Sequence, residues 1–489
     1  MVRIGRRRFL GGSAGALTLA ALALLPSELQ HALSARAPGA GALSDIKHVV
    51  LMMMENRSFD HYFGAMPGVR GFADPVAGQL APNGRSVFHQ PFPGNPDGYV
   101  LPFRLDSART TAQAIRSLNH SWEAEHGYWA GGRMDAFLTY QASHSVLSIL
   151  GKPGNSPRRR EYAMGYFTKE DLPFHYALAE NFTLCDNYFC SVMGSTWPNR
   201  LMWMTGTVDP RGRSGGPIKD TGDKRAKAGA LTWTTYPERL EQAGISWRAY
   251  DEHRGSGLNP LHQFRQFRTA SKGSPLRLKG VTQVAADAFE QDVATGRLPT
   301  VSWILPKGSD SEHPKHHPAD GAKAIARKLA ALAAHPDVWA KTVFIVNYDE
   351  NDGLFDHVRP PVPPPGETEE YVGSEHVGPG FRVPCVVISP WTTGGWVSHE
   401  LLDHTSILRL LELVTGVPEP NISAWRRATF GDLRSTLRLT SDPDTSTHAL
   451  SRLPDAQRLA RRVDRALRSG TLGAPVVPHP QGMPRLPLH

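Results

Sequence analysis

Along this chain, short runs of consecutive apolar residues alternate with longer mixed stretches, and several of the runs stop abruptly at acids. Residues 49–54 (VVLMMM) are unbroken apolar and are followed at once by Glu55-Asn56-Arg57-Ser58. The run 342–347 (TVFIVN) ends in Tyr348-Asp349-Glu350-Asn351-Asp352-Gly353 in the same way. Runs at 301–306 and 383–389 complete a set of uniformly apolar strands, which is how strands covered on both faces read. Between them lie helical stretches: one from Asp171-Leu172-Pro173 to about Asn181 with Asp171 as cap, an alanine-rich one over 320–335, and one opened by Leu402-Asp403-His404. Such alternation predicts an α/β fold with a mostly parallel sheet. Residues 79–118, rich in Pro, Gly and Asn, are expected to form a surface insertion. The Pro-rich run 359–365 reads as a rigid loop beside the site. A basic helix over about 454–469 carries a narrow apolar stripe, Leu459, Val463 and Leu467, that suits docking on the core or contact with a membrane.

This pattern places polar residues where such sheets bind ligands, at the carboxyl ends of strands. Glu55 with Asn56, and Asp349 with Glu350, offer oxygen ligands suited to a hard cation. The same residues also fit a helix cap with surface acids. Gly194-Ser195-Thr196-Trp197-Pro198-Asn199-Arg200 reads as a turn into a helix, which can expose a hydroxyl at an N-terminus that favours phosphate or can simply supply an N-cap. His120 and His126, among Trp122 and Trp129, fit either site or structural histidines, and His313, His357 and His404 also follow strands or open helices.

The first 37 residues stand apart. Arg6-Arg7-Arg8, the short apolar stretch 17–26 and Ala35-Arg36-Ala37 resemble a twin-arginine export signal cleaved near Ala37. The expected product is a secreted or cell-envelope protein, with a retained N-terminal anchor as the alternative. Five arginines against Glu28 in this segment carry about half of the formal +8 charge. The remainder is too weak, and too free of basic-aromatic runs, for nucleic-acid binding. An apolar fraction of 40% is enough for a large core over the 489 residues. Export would allow a Cys185–Cys190 disulfide, leaving Cys385 free.

Taken in order, ENRSFDHYFG (55–64), GSTWPNR (194–200), SEHP (311–314), DENDGLFDHV (349–358) and DHTSILR (403–409) resemble the bacterial phospholipase C and acid phosphatase family, a branch of the alkaline-phosphatase-like superfamily. The resemblance runs from about residue 45 to 420. It implies an α/β fold of alkaline-phosphatase type: a central, mostly parallel sheet flanked by helices, in a single large domain with surface insertions. It divides the chain into a signal (1–37), a catalytic domain (38–430) and a C-terminal helical extension with a polar tail (431–489).

By the same resemblance, Glu55, Asn56, Asp349, Glu350 and Thr196 would hold one divalent metal ion. Calcium or magnesium is favoured and manganese fits the same oxygen ligands, with zinc and iron as alternatives. Thr196 would be the nucleophile, with Ser195 as runner-up. His120, His313 and His357 would bind phosphate oxygens or move protons, His404 would close the site, and His126 is a further candidate. Trp197, Trp122 and Trp129 would face a choline-like head group. The implied reaction is hydrolysis of phosphatidylcholine-like diesters to diacylglycerol and a phosphorylated head group through a phospho-threonine. A broad phosphomonoesterase is the alternative, and a non-catalytic lipid-binding protein a third reading. Expected partners are a phospholipid or other phosphate ester and, transiently, a membrane surface. Larger hemolytic members carry C-terminal β domains that this chain lacks, so strong hemolysis is not expected.

Overall fold

The computed structural model describes residues 2–3, 41–74, 84–143, 160–252 and 257–484. The export-signal segment, apart from Val2–Arg3, lies outside the described residues. The core is one sheet of seven strands: β1 His48–Met54, β2 Thr183–Cys185, β3 Trp247–Asp251, β4 Val301–Leu305, β5 Thr342–Tyr348, β6 Cys385–Ile388 and β7 Trp396–Ser398. Their order is β7-β2-β6-β5-β1-β4-β3, and Val2–Arg3 pairs antiparallel with the β7 edge. Only β6 runs against the other six. The expected α/β architecture with a mostly parallel sheet is therefore what the chain forms.

Every residue of β5, and every residue of β1 after His48, is buried, so both faces of the central strands are covered, as their unbroken apolar sequences require. The register pairs Tyr348 with Met54. The two strands thus end level, and the acids that follow them emerge side by side.

The helices that frame the site are α1 Phe59–Phe63, α2 Trp122–Trp129, α3 Pro173–Asn181, α4 Thr196–Thr205, α5 Pro318–Ala333 and α6 His404–Thr415. Asp171 does not cap α3. The N-cap position is Leu172, without a side-chain bond, and proline at N1 removes one of the first-turn N–H groups that would need an acceptor. Asp171 instead accepts from the Thr168 and Ser107 amides and from Arg104. The basic helix forms as α7, Ala456–Arg468, and lies along α5. The segment after it turns back over the insertion: Thr111 N–H donates to Gly473 O, and Gln481 bonds both Leu101 N and Tyr99 O.

The expected Cys185–Cys190 bond is absent. All three cysteines are free and buried. The register of β2 on β6 sets Cys185 opposite Cys385 instead, because Leu184 pairs with Val386.

Candidate active site

From the end of β1, Glu55 donates its amide to Ser311 O, and Asn56 turns into the left-handed region (φ 58°) that asparagine tolerates. This turn lets the Asn56 amide donate to Asp349 Oδ1 at 2.9 Å, tying the two strand ends together. Asp349 also accepts from the Glu350 amide (2.9 Å) and from Arg200 Nε (3.0 Å). Three donors leave one of its roughly four lone-pair positions open.

Asp352, which the sequence reading passed over inside its own motif, organises the other side. Its Oδ1 accepts from Asn56 Nδ2 (2.9 Å) and Ser117 Oγ (2.6 Å), and its Oδ2 from the Leu118 amide (2.9 Å). The Asn56 amide group is thereby oriented, and the insertion is pinned where it delivers His120. His120 Nδ1 donates to Leu118 O at 3.0 Å. The Nε2 lone pair then faces Glu350 Oε1 at 3.6 Å and Asn56 Nδ2 at 3.5 Å. His120, Glu350 and Asp352 offer ligand atoms within 4.8 Å of one another.

Two acceptors in this cluster, Asn56 Oδ1 and Glu350 Oε1, are buried without a partner among the described residues. Four buried carboxyls surround them. Burial, and secondarily Asp349, push Glu55 up to about 7. Burial with Asp349, Asp352 and Glu125 pushes Glu350 well up, while burial raises Asp349 against Arg200 and Asp352 against His120. Crowded acids with orphaned oxygens beside an imidazole lone pair form a donor set that fits a divalent cation.

Helix α4 brings the hydroxyls. Ser195 is its N-cap, but the Ser195 hydroxyl is engaged elsewhere, donating to Asp220 Oδ1 (3.3 Å) and accepting from the Thr221 amide (2.7 Å). Thr196 is the first helical residue and 7% exposed. It lies one turn before Arg200 on the same helix face. Arg200 donates to Asp349 and to the Met53 and Met54 carbonyls. Thr196 is thus carried on the face that meets the ends of β1 and β5. Among the described residues the Thr196 hydroxyl has no hydrogen-bond partner.

The histidines separate into distinct settings. The His313 ring lies 6.4 Å from that of His120, its Nδ1 is unpartnered, and burial and the neighbouring His120 hold it down to about 2, hence neutral. Its loop is fixed by Glu312, also missed from the sequence. Glu312 is fully buried in a left-handed conformation (φ 68°) and accepts from Tyr62 (2.6 Å), Tyr348 (2.7 Å) and His175 (3.0 Å).

His404 stands behind the acids. It donates through Nε2 to Asp349 O (2.9 Å) and accepts the Tyr188 hydroxyl at Nδ1 (2.9 Å). His357 belongs to another buried network, with Nδ1 on Asp60 Oδ2 at 2.6 Å. His126 is held by the Trp122 and His376 carbonyls.

Of the three tryptophans, Trp122 is 2% exposed. Its indole donates to Glu375 (2.7 Å), and the Lys219 ammonium already sits over its ring at 4.8 Å. That face is occupied, which removes Trp122 as a seat for a choline-like cation. Trp129 stands edge-on to His376, and both it and Trp197 remain half-buried.

A phosphoesterase family model matches residues 46–418. "Phospholipase C B" of Mycobacterium tuberculosis is 40% identical over 98% of this chain and 95% of its own length. "Non-hemolytic phospholipase C" of Pseudomonas aeruginosa is 40% identical over 91% of this chain and 66% of its own. Among solved structures, a lipoteichoic acid synthase from Listeria monocytogenes is 9% identical, covers 83% of this chain and 78% of that one, and has a TM-score of 0.35, too low to bear on function.

Proposed function

The chain belongs to the phosphoesterase family and is a phosphoric-ester hydrolase, and from that premise we propose that it is an exported, metal-dependent phospholipase C acting on phosphatidylcholine-like diesters with Thr196 as nucleophile. The observation that carries the metal dependence is the pair of orphaned acceptors, Asn56 Oδ1 and Glu350 Oε1, beside the His120 lone pair. Glu55, Asn56, Asp349, Glu350 and Thr196 would hold the ion, with His120 and Asp352 closing the cluster. A bound divalent ion supplies charge stabilisation at the phosphoryl oxygens and lowers the pKa of a neighbouring hydroxyl.

The remaining chemistry belongs to the chain. Thr196 Oγ1 forms a bond to phosphorus as the bond to the diacylglycerol oxygen breaks. In the first turn of α4 the Trp197 amide donates to Thr221 Oγ1 and Pro198 has no N–H, so the Thr196 amide is the one N-terminal donor left for the phosphate. The threonine proton leaves through the neutral His313, and one proton is returned to the departing alcohol. Water then cleaves the phospho-threonine and releases the phosphorylated head group. Asp349 and Asp352 position the reacting groups, and Glu312 fixes the His313 loop.

Hydrolysis of p-nitrophenyl phosphorylcholine and of p-nitrophenyl phosphate, by the mature protein and by Thr196→Ala, with and without chelator, tests this reading. Preference for the diester, lost on chelation and in the variant, is expected. Preference for the monoester moves the protein to the phosphatases, and an active variant removes Thr196 as nucleophile.

A further inference from the structure

Helix α7 sorts its residues onto two opposite faces. Ala456 and Ala460 are buried, and Leu459, Val463 and Leu467 are half-buried, where the helix lies along α5. Arg458, Arg461, Arg462, Arg465 and Arg468 recur at helical spacing on the side turned away from that stripe, and all five are exposed. Asp464 is the one acid within the helix. It comes within 3.9 Å of Arg468 and of His317, the N-cap of α5.

This arginine face is unanswered. Arg225 and Arg434, exposed elsewhere on the surface, reach Asp223 (3.0 Å) and Asp432 (3.2 Å). Among the described residues Arg458, Arg461, Arg462 and Arg465 make no ion pair. Like charges three and four residues apart weaken a helix, and packing on α5 uses only the opposite face, so packing does not call for them. A row of unpaired guanidinium groups is matched by a plane of anionic groups. Two observations fit a bilayer better than a dissolved anion. Val476 and Met483, two exposed apolar side chains, lie in the segment just after α7. The approach of Asp464 to His317 also sets α7 beside the segment that leads from His313 into α5.

We propose that the outer face of α7 is a docking surface for an anionic lipid bilayer, with Arg458, Arg461, Arg462 and Arg465 against the head groups and the His313 loop brought near the lipid. Docking rests on the phospholipase reading for its purpose. It is measured on lipids without a phosphate ester and so stands or falls separately from that reading.

The test is co-sedimentation of the full chain with vesicles of a neutral galactolipid, with and without about 30 mol% of an anionic sulfolipid. Binding to the anionic vesicles alone is expected, falling steeply with added salt. Replacing Arg458→Gln, Arg461→Gln and Arg465→Gln together should weaken it about 100-fold. Lysine at the same three positions should bind within about threefold of wild type, because the charge is kept. Removing equal charge from another exposed region, by Lys224→Gln, Lys227→Gln and Lys272→Gln, should also stay within about threefold. All three triple variants should keep the wild-type melting temperature and the wild-type rate on soluble p-nitrophenyl phosphorylcholine. Equal binding to neutral and anionic vesicles, equal losses in the two glutamine triples, or tighter binding of duplex RNA than of the anionic vesicles overturns the surface.

Discussion

Two buried charged clusters lie at the carboxyl ends of the central strands, and they differ in one respect. Around Arg382, every charge is answered. Its guanidinium spans Asp60 (3.0 Å) and Asp356 (2.8 Å), and Asp60 also holds His357. Around Asn56, four carboxyls (Glu55, Asp349, Glu350 and Asp352) crowd together, Arg200 answers Asp349, His120 stands beside Glu350 and Asp352, and two oxygens have no partner among the described residues. The acids of both clusters come from the same two motifs, ENRSFDHYFG and DENDGLFDHV. The balanced cluster fastens the motifs to each other, whereas the unbalanced one stores a demand for positive charge that folding alone does not meet.

The comparison is broken most directly at Thr196, the proposed nucleophile, carried on the helix whose Arg200 reaches Asp349. Thr196→Ala should lower kcat by at least about 10³-fold, as loss of a covalent nucleophile does. Ser195→Ala, whose hydroxyl is already committed, should cost less than about tenfold. Equal losses would mean that the wrong hydroxyl has been chosen.

Next in size is the contrast between the clusters themselves. Arg382→Met leaves Asp356 and one oxygen of Asp60 buried without their cation and should destabilise the fold by about 3–5 kcal/mol in urea, with divalent-metal stoichiometry unchanged. Glu350→Gln should do the opposite. It relieves crowded charge, so the metal-free melting temperature is unchanged or higher, while metal binding is lost. If Glu350→Gln destabilises the metal-free chain as much as Arg382→Met, the clusters are not different in kind.

A pH titration sharpens the same point. Glu55 moves from its ordinary 4.5 to about 7 in the native, metal-free chain. Between those values the folded state keeps a proton that the unfolded state has released. Metal-free stability should therefore fall as pH rises through this window, by about 3 kcal/mol. Metal displaces that proton, so the stabilisation by added divalent ion should grow across the window. Equal metal stabilisation at pH 5 and pH 8 would contradict the placement of Glu55. The smallest effect is expected at His404→Ala, which unpairs Tyr188 and frees the Asp349 carbonyl. A stability loss of about 1–3 kcal/mol is expected, with metal stoichiometry retained.

Much of this was legible in the chain. Uniformly apolar runs that stop at acids specify central strands and the place where they deliver polar groups, because the period of hydrophobicity and the ends of strands are local properties. The motifs were equally local, and they carried the family and the hydrolase reading. The supporting residues were written inside those motifs, yet nothing marked Arg200, Glu312 or Asp352 as more than neighbours. Their roles depend on partners from distant segments, such as Tyr62 and His175 on Glu312.

What the sequence by itself determined is the order of the elements, the strand ends that carry acid, and the presence of hydroxyl, histidine and carboxylate groups in the family's arrangement. Tertiary structure alone decided which of these groups are spent and which are free. It committed the Ser195 hydroxyl to Asp220, gave the face of Trp122 to Lys219, set Cys185 beside Cys385, and paired His357 with Asp60. The physical reason is that hydrophobic period is written between neighbours in the chain, whereas charge balance is settled between neighbours in space. Asp60 and Arg382, 322 residues apart, neutralise each other, while Asn56 and Glu350 meet at two level strand ends and leave oxygens for a cation to fill.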